Sequence, residues 1–202
     1  MNIPNMPWEH QLSTLTVIRT FLSYFKSPLK QFKIDRREWG RYLCYKKCIK
    51  NGLAKYFIGY PKDSMAPDFF DIYQLYSFVR KRKPKFVLEF GGGCSTIAFS
   101  YALKQNYEID GIDGKLYAID ESNFWQDKLK KIMPEELKSF CKFLVLPVEA
   151  KKINGEYVHF FKDLPDIEVN ILYVDGGGAD TNLFKYGIVN GDAINIEKKA
   201  PN

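Results

Sequence analysis

The chain has few of the residues that most often announce a chemistry. Its 202 residues contain two histidines, His10 and His159, so acid-base chemistry based on histidine has only two candidates. Its four cysteines, Cys44, Cys48, Cys94 and Cys141, form no C-x-x-C pair, which removes the usual signature of a zinc or dithiol site. Cys44 and Cys48 lie four apart on one helix face, the spacing of ordinary core packing. No apolar run is long enough to cross a bilayer: Trp8 to Phe25 has an amphipathic pattern but is interrupted by Glu9, His10 and Arg19. Repeats, low-complexity stretches and a secretory signal are also missing, which makes a reducing cytoplasm the expected compartment. With 46% hydrophobic and 27% charged residues, the chain can bury a sizeable core and is not a disordered polypeptide.

Charge divides the chain unevenly. Residues 1–85 hold 17 Lys and Arg against 6 Asp and Glu, a net +11, whereas residues 86–202 hold 13 against 18, a net −5. Residues 1–84 are therefore expected to form a basic, helical N-terminal extension, with an acidic partner as one use of its charge. Three helices are expected in it. The first covers Trp8 to Phe25. The second starts with Asp35 as N-cap and Glu38 three residues later and ends at Asn51-Gly52. The third runs from about Pro67 to the basic run Arg80-Lys81-Arg82-Lys83 and stops at Pro84; that run complements the negative end of the helix dipole.

The most informative stretch is Val87-Leu88-Glu89-Phe90-Gly91-Gly92-Gly93-Cys94-Ser95-Thr96. It reads as a buried strand, then a glycine turn, then a helix that Ser95 or Thr96 can cap. Glycines in such a turn let a backbone approach a ligand at the carboxyl edge of a parallel sheet. The dinucleotide fingerprint G-x-G-x-x-G fails at Thr96, and no Gly-Lys-Ser/Thr follows to make a phosphate loop. Glu89, two residues before the first glycine, would repel a pyrophosphate and suits a cation. Cys94, at the helix start, is expected to line the turn passively. Two further runs end in an acid: Lys115-Leu116-Tyr117-Ala118-Ile119-Asp120, with Ser122 capping the next helix, and Val169 to Val174 followed by Asp175 and three glycines. Lys142 to Pro147 is a third, weaker strand, and Glu149 follows it as an ordinary loop acid. Asp120 lies 27 residues after Gly93, longer than the ~20 of a nucleotide-binding unit. Asn106 to Gly114 is expected to absorb the excess as a turn-rich insertion.

From about Phe86 onward, this constellation resembles the class I S-adenosylmethionine-dependent methyltransferases, with Glu89-x-Gly91-x-Gly93 in the place of their first motif and Ser-Thr where the last glycine would stand. The resemblance implies an α/β, Rossmann-like parallel sheet in the order 3-2-1-4, helices on both faces, and S-adenosyl-L-methionine as cofactor in a domain of residues 85–202. It also implies roles. Glu89 would orient the methionine ammonium through water, Gly91, Gly92, Gly93 and Ser95 would line the cofactor, and Asp120, in preference to Glu121, would hold the ribose. Asp175 would border the cofactor's methyl and act as the catalytic residue, serving as base if the acceptor is a hydroxyl. No metal is implied, because Asp175 lacks partner ligands. His159, amid aromatics, reads as a packed strand residue. A non-catalytic nucleoside-binding or interaction module on the same fold remains as an alternative; a dinucleotide oxidoreductase is disfavoured by Thr96 and Glu89. Thr181 to Lys199 is read as one helix. Because the chain then stops where the family's fifth strand would begin, the fourth strand is expected at an edge of a C-terminally incomplete domain.

Overall fold

A computed structural model of the protein describes residues 28–61, 67–175 and 189–197. The amphipathic segment Trp8 to Phe25 and the glycines after Asp175 lie outside these. The chain divides into two compact units, one running to Gly59 with Asp68–Tyr73 added, the other comprising Tyr60–Pro67 and everything from Gln74 onward. Among the described residues no helix is long and apolar enough to cross a membrane.

In the first unit, helix α1 spans Pro28–Lys50. It starts seven residues before Asp35, so Asp35 and Glu38 lie inside it and do not cap it. Pro28 suits a first helical position, and nothing between it and Asp35 breaks a helix. The end is as expected: Gly52 takes φ +76°, and Leu53 N–H returns to the Cys48 carbonyl at 2.9 Å. Cys44 and Cys48 are buried, and Phe69 packs edge-on against both Tyr45 and Phe57.

Helix α2 covers Phe69–Arg82. Its second half joins α3, Cys94–Asp110: Tyr76 stacks on Tyr101, and the Asn106 amide donates to the Val79 carbonyl at 3.2 Å. Arg80 and Lys83 both pair with Asp110, at 2.8 and 2.7 Å, so these members of the basic run close a helix end. The continuous α3 corrects the turn-rich insertion. Asn106 to Asp110 are its last turn, and Gly111 at φ +69° ends it.

The second unit holds a four-stranded, fully parallel sheet of β1 Phe86–Phe90, β2 Lys115–Asp120, β3 Cys141–Val145 and β6 Ile171–Val174, in the order β3-β2-β1-β6. This is the expected 3-2-1-4 arrangement, a Rossmann-like α/β fold. Helices α4, Asn123–Ile132, and α5, Glu135–Lys138, lie in the β2-to-β3 connection. The start of the pairing between β1 and β6 is clasped by Asn170, whose Oδ1 accepts from both Lys85 N–H and Phe86 N–H at 2.9 and 3.0 Å.

One sheet face, carrying Val87, Glu89, Ala118 and Tyr173, looks toward α3, where Phe99 meets Tyr173 edge-on. The other face carries Leu88, Phe90, Ile119, Leu144 and Leu172 and is covered largely by an element the sequence reading missed. This is an antiparallel hairpin of β4, Val148–Ile153, and β5, Glu156–Phe161. Phe161 of this hairpin stacks on Phe90 with ring centres 5.0 Å apart, and Val148, Leu164, Val169 and Ile196 complete the layer. Asn154 and Gly155 both have positive φ, +52° and +93°, as a two-residue primed turn requires.

Near the C-terminus, a bridge at β7, Val189–Asn190, pairs parallel with β5, and helix α6 covers Asp192–Glu197. The single helix read over Thr181 to Lys199 is therefore corrected: Gly191 ends the bridge, and the helix begins only after it.

Candidate functional site

The site is built at the carboxyl edge of the sheet, on the face that looks toward α3. Gly91 turns the chain out of β1 at φ +81°, a conformation that favours glycine, and its N–H donates to the Ile119 carbonyl at 2.9 Å. A Cβ at Gly92 would lie 2.4 Å from Leu129 Cδ2, so the leucine side chain would have to move to admit one. At Gly93 the reverse holds: a Cβ would meet no atom of the described residues within 4 Å. The turn is therefore packed against α4 on one side and open on the other.

A buried relay holds this shape. The Thr96 hydroxyl accepts from Gly93 N–H at 2.9 Å and donates to Glu89 Oε2 at 2.6 Å. Glu89 is fully buried, and among the described residues its Oε1 has no hydrogen-bond partner. Burial pushes the Glu89 carboxyl up to about 8, against the Ser95 and Thr96 hydroxyls, which favour the charged form; the nearby Asp175 carboxylate adds to the rise. Thr96, which breaks the dinucleotide fingerprint by standing where its third glycine would be, is thus the residue that ties the acid to the turn.

The strand register places two acids beside Gly91. Phe90 is level with Ile119 on one side and Val174 on the other, so the next residues along, Asp120 and Asp175, flank Gly91. Two strand spacings put their backbones roughly 10 Å apart. Asp175 is exposed, and its N–H donates to the Phe90 carbonyl at 3.0 Å. Asp120 is nearly buried, with Oδ1 accepting from Ser122 N–H at 2.8 Å; Ser122 in turn caps α4 by accepting from Trp125 N–H at 3.4 Å.

No protein-family model and no curated protein matches the chain. Among solved structures, the SAH-bound methyltransferase of Podospora anserina is similar over 71% of this chain, with 16% sequence identity and a TM-score of 0.39. The match covers 57% of that protein, so this chain spans a little over half its length. The fold assignment rests on the strand order itself.

Cys94 is half-buried at the edge of the turn. Burial raises its thiol pKa although it sits at the first position of α3, so the helix start does not activate it. Glu149, by contrast, lies on β4 in ion pairs with Lys151 and Lys162 at 2.5 and 3.4 Å, which hold its carboxyl below the usual range. Among the described residues no cluster of His, Cys, Asp and Glu could hold a metal ion.

Three residues near this edge were not singled out as site residues. Glu121 has a buried Oε2 with no partner, and its charge acts on His159. His159 is buried on β5, and neither ring nitrogen has a hydrogen-bond partner among the described residues; burial lowers its pKa, and the Glu121 carboxylate opposes that shift. Tyr60, which precedes the sheet by more than twenty residues, is half-buried, and burial raises its hydroxyl pKa, with Cys94 and Glu89 adding to the rise. The aromatics around His159 do mark it as a packed strand residue, as found, and the Asn154-Gly155 pair marks the hairpin that carries it. Nothing in the sequence near Tyr60 signals its place.

Proposed function

We propose that this chain is an S-adenosylmethionine-dependent methyltransferase of the Rossmann-like type. The observation that carries the reading is the Glu89–Thr96–Gly93 relay, which holds open a glycine cradle with Asp120 and Asp175 on the two neighbouring strand ends. The residues fit such a cofactor on the structure's own terms. Among the described residues, no atom fills the space beside Gly93 and a buried acceptor on Glu89 lacks a partner, while an exposed carboxylate stands at Asp175.

The bound cofactor would supply an activated methyl group on a sulfonium, so the protein's task is to hold and orient it and exclude water. Gly91 and Gly93 would let the backbone approach closely, with Gly92 and Ser95 completing the wall. Glu89 would steady the ammonium end through its unpaired Oε1. Asp120 would accept from the ribose hydroxyls, and Asp175 would border the methyl and the incoming nucleophile.

Calorimetry with adenosylmethionine tests the reading. Glu89→Ala and Asp120→Ala should each weaken binding about tenfold or more, the usual loss for a hydrogen bond to a charged group. Parent-level affinity in both variants would refute it. Asp175→Asn should depress conversion to adenosylhomocysteine in an acceptor screen far more than it depresses affinity; binding without any conversion would favour a nucleoside-binding module.

A further inference from the structure

In the first unit, one side of α1 carries large apolar residues that face solvent. Trp39, Leu43, Lys46 and Lys50 recur at steps of four, three and four, so they stack along one side of the helix, with Tyr42 and Ile49 beside them. Trp39, Tyr42, Leu43 and Ile49 are 41–62% exposed, whereas Cys44, Tyr45 and Cys48 on the opposite side are buried. The helix thus packs its inward face on its own unit and presents the outward one. Phe70 widens the patch: its ring comes within 3.8 Å of the place a Cβ on Gly40 would take, and it too is exposed. Single exposed apolar residues are ordinary on a surface; four on one helix side, with a fifth against that helix, make a patch that marks an interaction site.

The surroundings of the patch are basic. From Trp39 to Gly59 the chain has Arg41, Lys46, Lys47, Lys50 and Lys55 and no acid. The Lys46 ammonium lies 5.8 Å from the centre of the Tyr42 ring, and that of Lys47 lies 5.0 Å from the centre of Tyr73, so both cations ride on aromatic surface. Asp68 is already paired with Arg41 at 2.8 Å.

Charge and apolarity together select the occupant. A second copy of this face would set like charges against each other. A nucleic acid would use the cations and the rings, but Leu43 and Ile49 would add little to its stacking. The boundary of an anionic bilayer uses every member: Trp39 and Tyr42 suit the headgroup level, Leu43 and Ile49 the acyl chains below it, and the lysines reach outward to lipid phosphates. Such a helix lies on a membrane and does not cross it, in keeping with the length and apolarity of the described helices.

We propose that the outward face of α1, centred on Trp39 and Leu43, is a docking surface for an anionic phospholipid bilayer. This surface acts independently of the chemistry at the glycine cradle.

Cosedimentation of the full chain with lipid vesicles tests this. Phosphatidylcholine vesicles that contain phosphatidylserine should bind more protein than phosphatidylcholine alone, and added salt should weaken the binding. Trp39→Ala combined with Leu43→Ser should lower partitioning about tenfold or more, the usual effect of losing large apolar side chains from an apolar setting. Lys46→Gln combined with Lys50→Gln should lower it roughly fivefold per lysine, on the phosphatidylserine vesicles only. A parent that ignores both kinds of vesicle would overturn the proposal, as would variants that bind like the parent. Retention of a single-stranded RNA oligonucleotide with no retention on vesicles would also overturn it and assign the face to nucleic acid. A second readout leaves the patch intact. The chain has three tryptophans, so Trp8→Phe with Trp125→Phe leaves Trp39 as the sole emitter. Its emission should shift to the blue on phosphatidylserine vesicles and be quenched by lipids brominated on their acyl chains. Emission that neither shifts nor is quenched would put Trp39 in water and end the assignment, whatever the fate of the other variants.

Discussion

Glu89 is an acid placed where an acid is costly. Its carboxyl titrates near 8, well above the usual 4.5, chiefly because it is fully buried. The folded state therefore holds this proton more tightly than the unfolded chain does. The resulting stability is complete below about pH 4.5 and is lost as pH rises through about 8. Melting temperature should fall between pH 6 and pH 9, and Glu89→Gln, which keeps the shape without the titration, should flatten that fall. An identical slope in both proteins would mean that Glu89 is not held neutral. Thr96→Val probes the other end of the relay. It strips Gly93 N–H and Glu89 Oε2 of their shared partner and should cost about 1–3 kcal/mol for each buried group left unpaired. Denaturant titration measures it, and a loss within error of zero would show that water replaces the hydroxyl.

At the scale of elements, the glycines of the turn have separate duties that mutation can pull apart. Gly92→Ala pushes a methyl into Leu129 and should destabilise by about 1–3 kcal/mol, and Leu129→Ala in the same chain should recover much of that loss. Gly93→Ala meets no atom of the described residues, so stability should hold while adenosylmethionine affinity falls. If instead Gly93→Ala unfolds the protein and Gly92→Ala is silent, the assignment of packing to one and ligand to the other is reversed. The parallel strands were legible for a physical reason: buried on both faces, β1, β2 and β6 read as near-continuous apolar runs, each running into a turn. Glu89, Asp120 and Asp175 stood out because each is an acid at such a strand end. The hairpin was less legible, since the lysines and tyrosines of β4 and β5 blur the alternation and only Asn154-Gly155 marks the turn. The start of α1 was missed because an internal Asp35-Glu38 pair mimics a cap. The place of Tyr60 could not be read at all: it depends on tertiary approach across a long separation, which no local pattern encodes.

For the whole molecule, the reading makes a thermodynamic claim. A ligand that binds only the folded state at a concentration of 100 times its Kd adds about 2.7 kcal/mol of stability. For a chain of this size that corresponds to a rise of roughly 5–10 °C in melting temperature. Adenosylmethionine should produce such a shift, and NAD should not; a shift with NAD alone would return the dinucleotide reading. The uneven charge makes a second claim at this scale. If the basic first half meets a phosphate-bearing acceptor, binding of that acceptor should weaken steeply with salt, and a flat response would point to an uncharged one.

The Asn170 clasp also carries a timetable. It joins Asn170 to backbone groups 84 and 85 positions earlier in the chain. During synthesis at ~5–20 residues per second, β1 leaves the ribosome about 4–17 s before the residues that will cover its second edge. It can recruit β2 soon after it emerges, but its other side must wait. The clasp is then a latch that shuts last, and long-range closure of this kind tends to form on the native side of the folding barrier. Asn170→Ala should accordingly speed unfolding more than it slows refolding in stopped-flow experiments. The opposite partition would mean that this distant edge is in place when the barrier is crossed.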